Sequence, residues 1–346
     1  MTRVAVVGFA GEVVSEPDGR NDAELLGPLV DRALATSGLA AGEIDVLATA
    51  SSELLTGVVG GVMGAFDALC GWPPRTHSHL DADGAFACYE GWVRLLAGEG
   101  RAALVCAFSR PLGDDRRAPL GLQLDPYVVA PLRPPLPALA ALQARAMLDS
   151  GRWDERDLAA VTAARRGLAD RAGPDAAVDD LLRRPYVASP LRAHDCSTVC
   201  SGAAALVLAT DDLAARSTAR PAWITGMAHR VERHSLGARD LATSPSVRAV
   251  AAQLGVRGTD LDVAEVHAPY SHQEMLVLEA LGANGIGSVN PSGGALPADP
   301  VMVTGLLRIG AAADAVRRGE ARRALGHATN GPCLQHNLLC LLEAAP

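Results

Sequence analysis

Apolar positions along this chain fall into two rhythms. Residues 4–10 (VAVVGFA) form a continuous run with β-branched content that reads as a buried strand, and residues 44–50 (IDVLATA) and 104–108 repeat the pattern. Between the first two, residues 21–37 space their apolar side chains as a helix does. Strand alternating with helix predicts a parallel-rich sheet covered on both faces. Residues 109–186 break the alternation. That stretch is rich in Pro and Arg (LRPPLP at 132–137), then helical at 138–151 and 154–172, and reads as an inserted cap lying over the sheet. Strands resume at 203–209, 222–226, 263–267 and 338–342.

The chain also repeats itself. Residues 98–107 (GEGRAALVCA) resemble residues 319–328 (GEARRALGHA) at an offset of 221, and the same offset pairs Gly84 with Gly305. Each of these glycines opens a helix after a loop of small residues. A repeat of this length predicts two duplicated βα halves, residues 1–218 and 219–346.

Composition narrows the function. Of the 346 residues 49 % are hydrophobic and only 3 % aromatic, so the interior must be packed from small side chains. All 31 basic residues are arginines, scattered rather than clustered, and the net charge is −8, which argues against nucleic acid as a partner. Seven irregularly spaced cysteines fit a reducing compartment better than a disulfide framework. Cys196 and Cys200 have no second Cys/His pair at metal-binding spacing, so no metal site is expected. The first apolar run is too short for a signal peptide, and none reaches the ~18 residues that span a bilayer. A soluble, cytoplasmic protein with no membrane partner is the expectation.

Four ordered motifs carry a resemblance. Asn290-Pro291-Ser292-Gly293-Gly294-Ala295, followed by Thr304-Gly305, resembles the Asn-Pro-x-Gly-Gly-Ala signature of thiolases. Residues 195–208 (DCSTVCSGAAALVL) resemble the same family's D-G-A-A-A segment, and residues 185–191 and 264–282 match in order and spacing its sterol-carrier-protein-x type. The resemblance covers essentially the whole chain. It implies a thiolase fold, two duplicated halves in five α/β/α/β/α layers, and homodimers formed through a central strand near residues 104–108.

The catalytic positions depart from the family. Its Cys-Ala-Ser-Gly becomes Asp81-Ala82-Asp83-Gly84, which puts Asp81 at the nucleophile's place. Its Gly-His-Pro becomes Ala298-Asp299-Pro300, and its second cysteine falls on Gly331. Claisen chemistry needs a thiolate to carry the acyl group, so a working thiolase is not expected. Nearby, residues 267–274 (HAPYSHQE) match the family loop that holds a water over the thioester carbonyl. Within it Ser271 and Glu274 have capping-box spacing, which leaves His267 and Tyr270 for chemistry. Cys333 follows the lost second cysteine, as a displaced thiol or an apolar filler.

A retro-aldol cleavage needs this kind of site without a thiolate. The chain resembles the lipid-transfer-protein-like members of the superfamily in actinobacterial sterol degradation, which act as side-chain aldolases with a small partner carrying an OB-fold and a zinc ribbon. The resemblance therefore implies a carbon–carbon lyase acting on a β-hydroxyacyl-CoA, its acyl part a sterol or branched chain. Tyr270 is the expected acid/base, its pKa lowered by His267, with Asp81 and Asp299 as further proton carriers. Gly293, Gly294, Cys333 and His272 are expected to bind substrate. No cofactor is expected on this chain: coenzyme A enters as part of the substrate and zinc with the partner. The alternative is a non-catalytic thiolase-like subunit of a hetero-oligomeric acyl-CoA enzyme.

Overall fold

The computed structural model describes residues 2–15, 18–56, 76–111, 117–167, 173–217, 220–282 and 285–345. Strand β1 (Val4–Val14) leads to α1 (Asp22–Ser37), which begins at a reciprocal capping box between Asn21 and Glu24 and ends at Gly38 with φ 72°. Then come β2 (Val46–Ala50), α2 (Glu53–Thr56), β3 (Thr76–Leu80), α3 (Gly84–Leu96) and β4 (Ala102–Ser109). The excursion contains α4 (Leu136–Asp149), α5 (Glu155–Arg165), α6 (Pro174–Leu182) and the short pair β5 (Tyr186–Ala188) and β6 (Leu191–Arg192). The chain returns through β7 (Ser201–Thr210) and α7 (Asp211–Ala214) to β8 (Ala222–Val231), α8 (Pro245–Gln253), β9 (Val263–Glu265), α9 (Ser271–Leu281), β10 (Ser288–Val289), α10 (Thr304–Arg317), β11 (Arg323–Asn330) and β12 (His336–Glu343).

Ten of these strands form one sheet in the order β10-β9-β11-β12-β8-β1-β7-β4-β2-β3. Read outward from the β8–β1 junction, the two sides match strand for strand. Each has two antiparallel pairings followed by two parallel ones. Strands β4 and β11 begin and end 221 residues apart, the offset of the sequence repeat. Asp45 and Asp262 occupy equivalent places and accept from the backbone of Arg101 and of Arg322 and Arg323, respectively.

Two expectations need correction. The sheet is mixed rather than parallel-rich, because β11 and β12 form a tight hairpin, and only antiparallel strands can be joined that way. In the first half the excursion stands where the second half has this hairpin turn. Strand β4 cannot supply a dimer edge either, since β7 pairs with one side of it and β2 with the other. The sheet's outermost strands are β3 and β10.

Alternate residues along each strand sort the core. Val4, Val6, Ala103, Val105, Leu206 and Leu208 from one half, with Ile224, Leu338 and Cys340 from the other, close on α3 and α10. The opposite face of the first half (Ala5, Val7, Leu104, Val207) packs on Leu25, Leu26 and Leu29 of α1. That of the second half (Ala264, Leu325, Leu339, Leu341) packs on α8 and α9 and on Ala140, Ala144 and Met147 of α4. The layers therefore run α1, strands, α3 with α10, strands, α8 with α9, and α4 adds a cover to the last. Among the described residues, the pairings Ala5↔Trp223 and Val6↔Ala222 join the halves of the sheet.

Candidate active site

The loop after β9 is fixed from two sides. Asn290, held at φ 49°, accepts from the Val266 N–H at 2.6 Å and donates to Glu274 at 2.8 Å. Glu274 is buried and paired with Arg165 of α5 at 2.9 Å, and Arg165 also donates to the Val289 carbonyl. The expected capping box is therefore absent. Ser271 donates to Asp195 at 2.8 Å, Glu274 faces Arg165, and the N-cap position of α9 is Tyr270, which makes no side-chain cap. A buried ion pair and a buried acceptor outcompete a local cap that either side chain could have formed.

A second loop brings the acid. Asp299 N–H donates to the Thr198 carbonyl and Cys200 N–H to the Asp299 carbonyl. The carboxylate accepts from Ser197 Oγ at 2.9 Å and Thr304 Oγ1 at 2.7 Å, and its Oδ1 lies 3.5 Å from His267 Nε2. On the other side of the ring, His267 Nδ1 lies 3.9 Å from Asp83 Oδ2. Both carboxylates and the imidazole are buried.

Tyr270, His267 and Asp299 open onto one cavity of about 410 Å³, together with Asp81, Cys333 and Arg117. Its apolar wall comes largely from the excursion, through Leu120, Leu124, Leu136 and Leu139. Asp81 lines the cavity but is exposed. His272 lies off the cavity, with Nε2 at 3.2 Å from Gln143 Oε1, and burial pushes its pKa down to about 3. Gly293 and Gly294 also stand off the cavity. Their φ values of 102° and 71° shape the turn behind Asn290, and a Cβ at 294 would press on the Asn290 amide.

The groups are electrostatically distinct. Burial is the largest influence on Asp299 and alone would raise it, but His267, Thr304 and Ser197 together hold it below the usual carboxylate range. Asp83 is raised, by burial, with His267 and two backbone N–H groups offsetting only part. Burial pushes the Tyr270 phenol above its ordinary value, so the expected lowering by His267 is not found. Tyr270 is thus a proton donor at neutral pH rather than a base. Burial pushes the Cys333 thiol up to about 12, and its S–H points to the Leu139 carbonyl at 3.3 Å. Among the described residues no cluster of three or more His, Cys, Asp or Glu could hold a metal ion, and no helix is long and apolar enough to cross a membrane.

Asp83, Ser197 and Gln143 were not singled out from the sequence. Only Asp83 left a signal there, as an N-cap-type residue directly before the repeated Gly84.

No family model matches the chain. It is 31 % identical to the acetyl-CoA acetyltransferase of Methanothermobacter thermautotrophicus over 169 residues, 42 % of this chain and 43 % of that enzyme. It is 33 % identical to the 3-oxoadipyl-CoA/3-oxo-5,6-dehydrosuberyl-CoA thiolase of Escherichia coli over 159 residues, 44 % of this chain and 39 % of that enzyme. The chain thus spans about two fifths of the length of these curated relatives. Among solved structures it superposes on the Ltp2-ChsH2(DUF35) aldolase with a TM-score of 0.79 at 19 % identity, covering 99 % of this chain and 98 % of that one. Human mitochondrial 3-ketoacyl-CoA thiolase in complex with CoA gives a TM-score of 0.76 at 16 % identity, covering 100 % and 98 %.

Proposed function

We propose, from the thiolase fold that this chain has, that it is a retro-aldol lyase cleaving a β-hydroxyacyl-CoA without a covalent acyl-enzyme. The observation that carries the reading is the shared cavity: an ionised buried acid, an imidazole and a protonated phenol converge there, while the thiol beside them stays protonated. Asp299 takes the proton of the β-hydroxyl, and His267 beside it balances the charge that moves. The Cα–Cβ bond breaks, its electrons pass to the thioester as an enolate, and a ketone or aldehyde leaves. Tyr270 keeps its proton and hydrogen-bonds the enolate oxygen through its O–H, and the proton on Asp299 returns to Cα. Proton count and charge balance over the cycle with no oxidant and no thiolate.

The departures at Asp81, Asp299 and Gly331 support a cysteine-free route, as does the burial that keeps Cys88, Cys196 and Cys340 protonated. The similar aldolase structure is a complex with a DUF35 protein, and this reading includes a homodimer working with an OB-fold/zinc-ribbon partner in the cytoplasm. A sterol or branched side chain suits the leucine wall of the cavity.

Tyr270→Phe tests the reading. It removes one oxygen from a packed ring, so the fold should survive while turnover falls ~10²–10³-fold, as when an oxyanion donor is lost. The assay follows cleavage of a β-hydroxyacyl-CoA with the zinc-ribbon partner present. Full turnover in the variant would remove Tyr270 from the mechanism. A wild type that cleaves no such thioester would make the chain a non-catalytic subunit.

A further inference from the structure

Asp83 is 2 % exposed and lies outside the cavity lining, directly behind His267. Its Oδ1 accepts from the Ala85 N–H at the start of α3, and its Oδ2 from the Gly305 N–H at the start of α10, both at 2.8 Å. One carboxylate thus sits at the N-termini of the two helices that the repeat makes counterparts, where both dipoles favour negative charge. Gly305 leaves room for it, since a Cβ there would collide with Asp83 Oδ1.

Capping alone does not explain an aspartate. Ser or Asn would cap α3 as well, without a second carboxylate buried near Asp299. The unexplained partner is His267, neither of whose ring nitrogens has a hydrogen-bond partner among the described residues. The polar atoms set against them are Asp83 Oδ2 at 3.9 Å and Asp299 Oδ1 at 3.5 Å.

We propose that Asp83 is the positioning carboxylate of an Asp83–His267–Asp299 chain, holding the ring with Nδ1 turned inward and Nε2 toward the cavity-lining acid. The proposal rests on the aldolase reading for its catalytic consequence but not for its geometry. Asp83 belongs to the first half of the molecule, His267 and Asp299 to the second, so the chain also crosses the pseudo-symmetry. A carboxylate behind an imidazole fixes its tautomer and orientation, and the outer partners of metal-bound imidazoles, which do the same, are typically worth ~10–100-fold in activity.

The test uses the full chain without substrate and then with it. Asp83→Ser keeps an N-cap and removes the carboxylate; Asp83→Asn is the nearly isosteric second variant should the first not fold. Ring-15N histidine NMR, with the His267 signals assigned by their loss in His267→Asn, should show the Nδ1 and Nε2 signals displaced in either Asp83 variant. With a β-hydroxyacyl-CoA, kcat should fall ~10–100-fold and KM should hold, because Asp83 does not touch the cavity. Unchanged His267 signals in a folded variant overturn the proposal, and so does an unchanged kcat when the wild type cleaves. If the wild type cleaves nothing, the aldolase reading falls, and the ring signals alone decide whether the chain of groups exists.

Discussion

His272 and His327 are sealed from water, and burial pushes each down to about 3. Unfolded, each would titrate near ~6.5. Both folded values are lowered, so the unfolded chain takes up protons first as pH falls. The stability these residues provide is complete above ~6.5 and is lost progressively as pH falls toward about 3. At ~1.4 kcal/mol per pH unit and group, each should remove about 2 kcal/mol by pH 5. Urea unfolding at pH 7 and pH 5 should show that drop, and a smaller one in His327→Gln; equal drops in both proteins would contradict the assignment. At this scale His267, Tyr270 and Asp299 could be read from motif positions. Asp83 could not, because counting residues from the motif gave the nucleophile's place to Asp81. Two positions separate the carboxylates, yet only Asp83 caps α3 and turns inward, and that depends on Gly305, 222 residues away.

Helix α4 of the excursion does more than cover the second half. Its buried Gln143 donates to the Cys333 carbonyl at 3.2 Å and accepts from Gln273 at 2.9 Å, with His272 Nε2 at 3.2 Å. It thereby ties the helix beginning beside Tyr270 to the β11–β12 turn, where Gly331, Cys333 and Leu334 all have positive φ (74°, 56° and 56°). Left-handed backbone at Cys and Leu persists only when its surroundings enforce it. Gln143→Leu should cost about 1–3 kcal/mol for each buried polar group left unpaired, read as a lower urea midpoint; a variant as stable as the wild type would show that water or rearrangement replaces the hub. The apolar spacing of residues 138–151 predicted a helix there, with ends shifted by two residues, but periodicity says nothing about a buried glutamine's partners. The same limit explains Ser271 and Glu274. Local spacing offered a cap, and tertiary partners took both side chains.

At the scale of the whole molecule the offset of 221 was legible in the sequence, and β4 and β11 begin and end that far apart. The antiparallel centre was not, since alternating strand and helix patterns do not reveal which way β7 and β12 re-enter the sheet. Layering follows from the apolar patterns, whereas the meeting of Asp83 with His267 and Asp299 follows from closing one half on the other around α3 and α10. That closure brings an acid, an imidazole and a phenol to one cavity whose thiol is protonated, and so makes cleavage without an acyl-enzyme the central claim. Mass spectrometry of a reaction in D2O with a β-hydroxyacyl-CoA and the proposed zinc-ribbon partner tests it most directly. The account predicts a carbonyl product, a shortened acyl-CoA carrying one deuterium at Cα, and a protein that, returned to H2O, has the same intact mass as a control incubated without substrate. An acyl adduct on the protein, on Cys333 or any other cysteine, would contradict it.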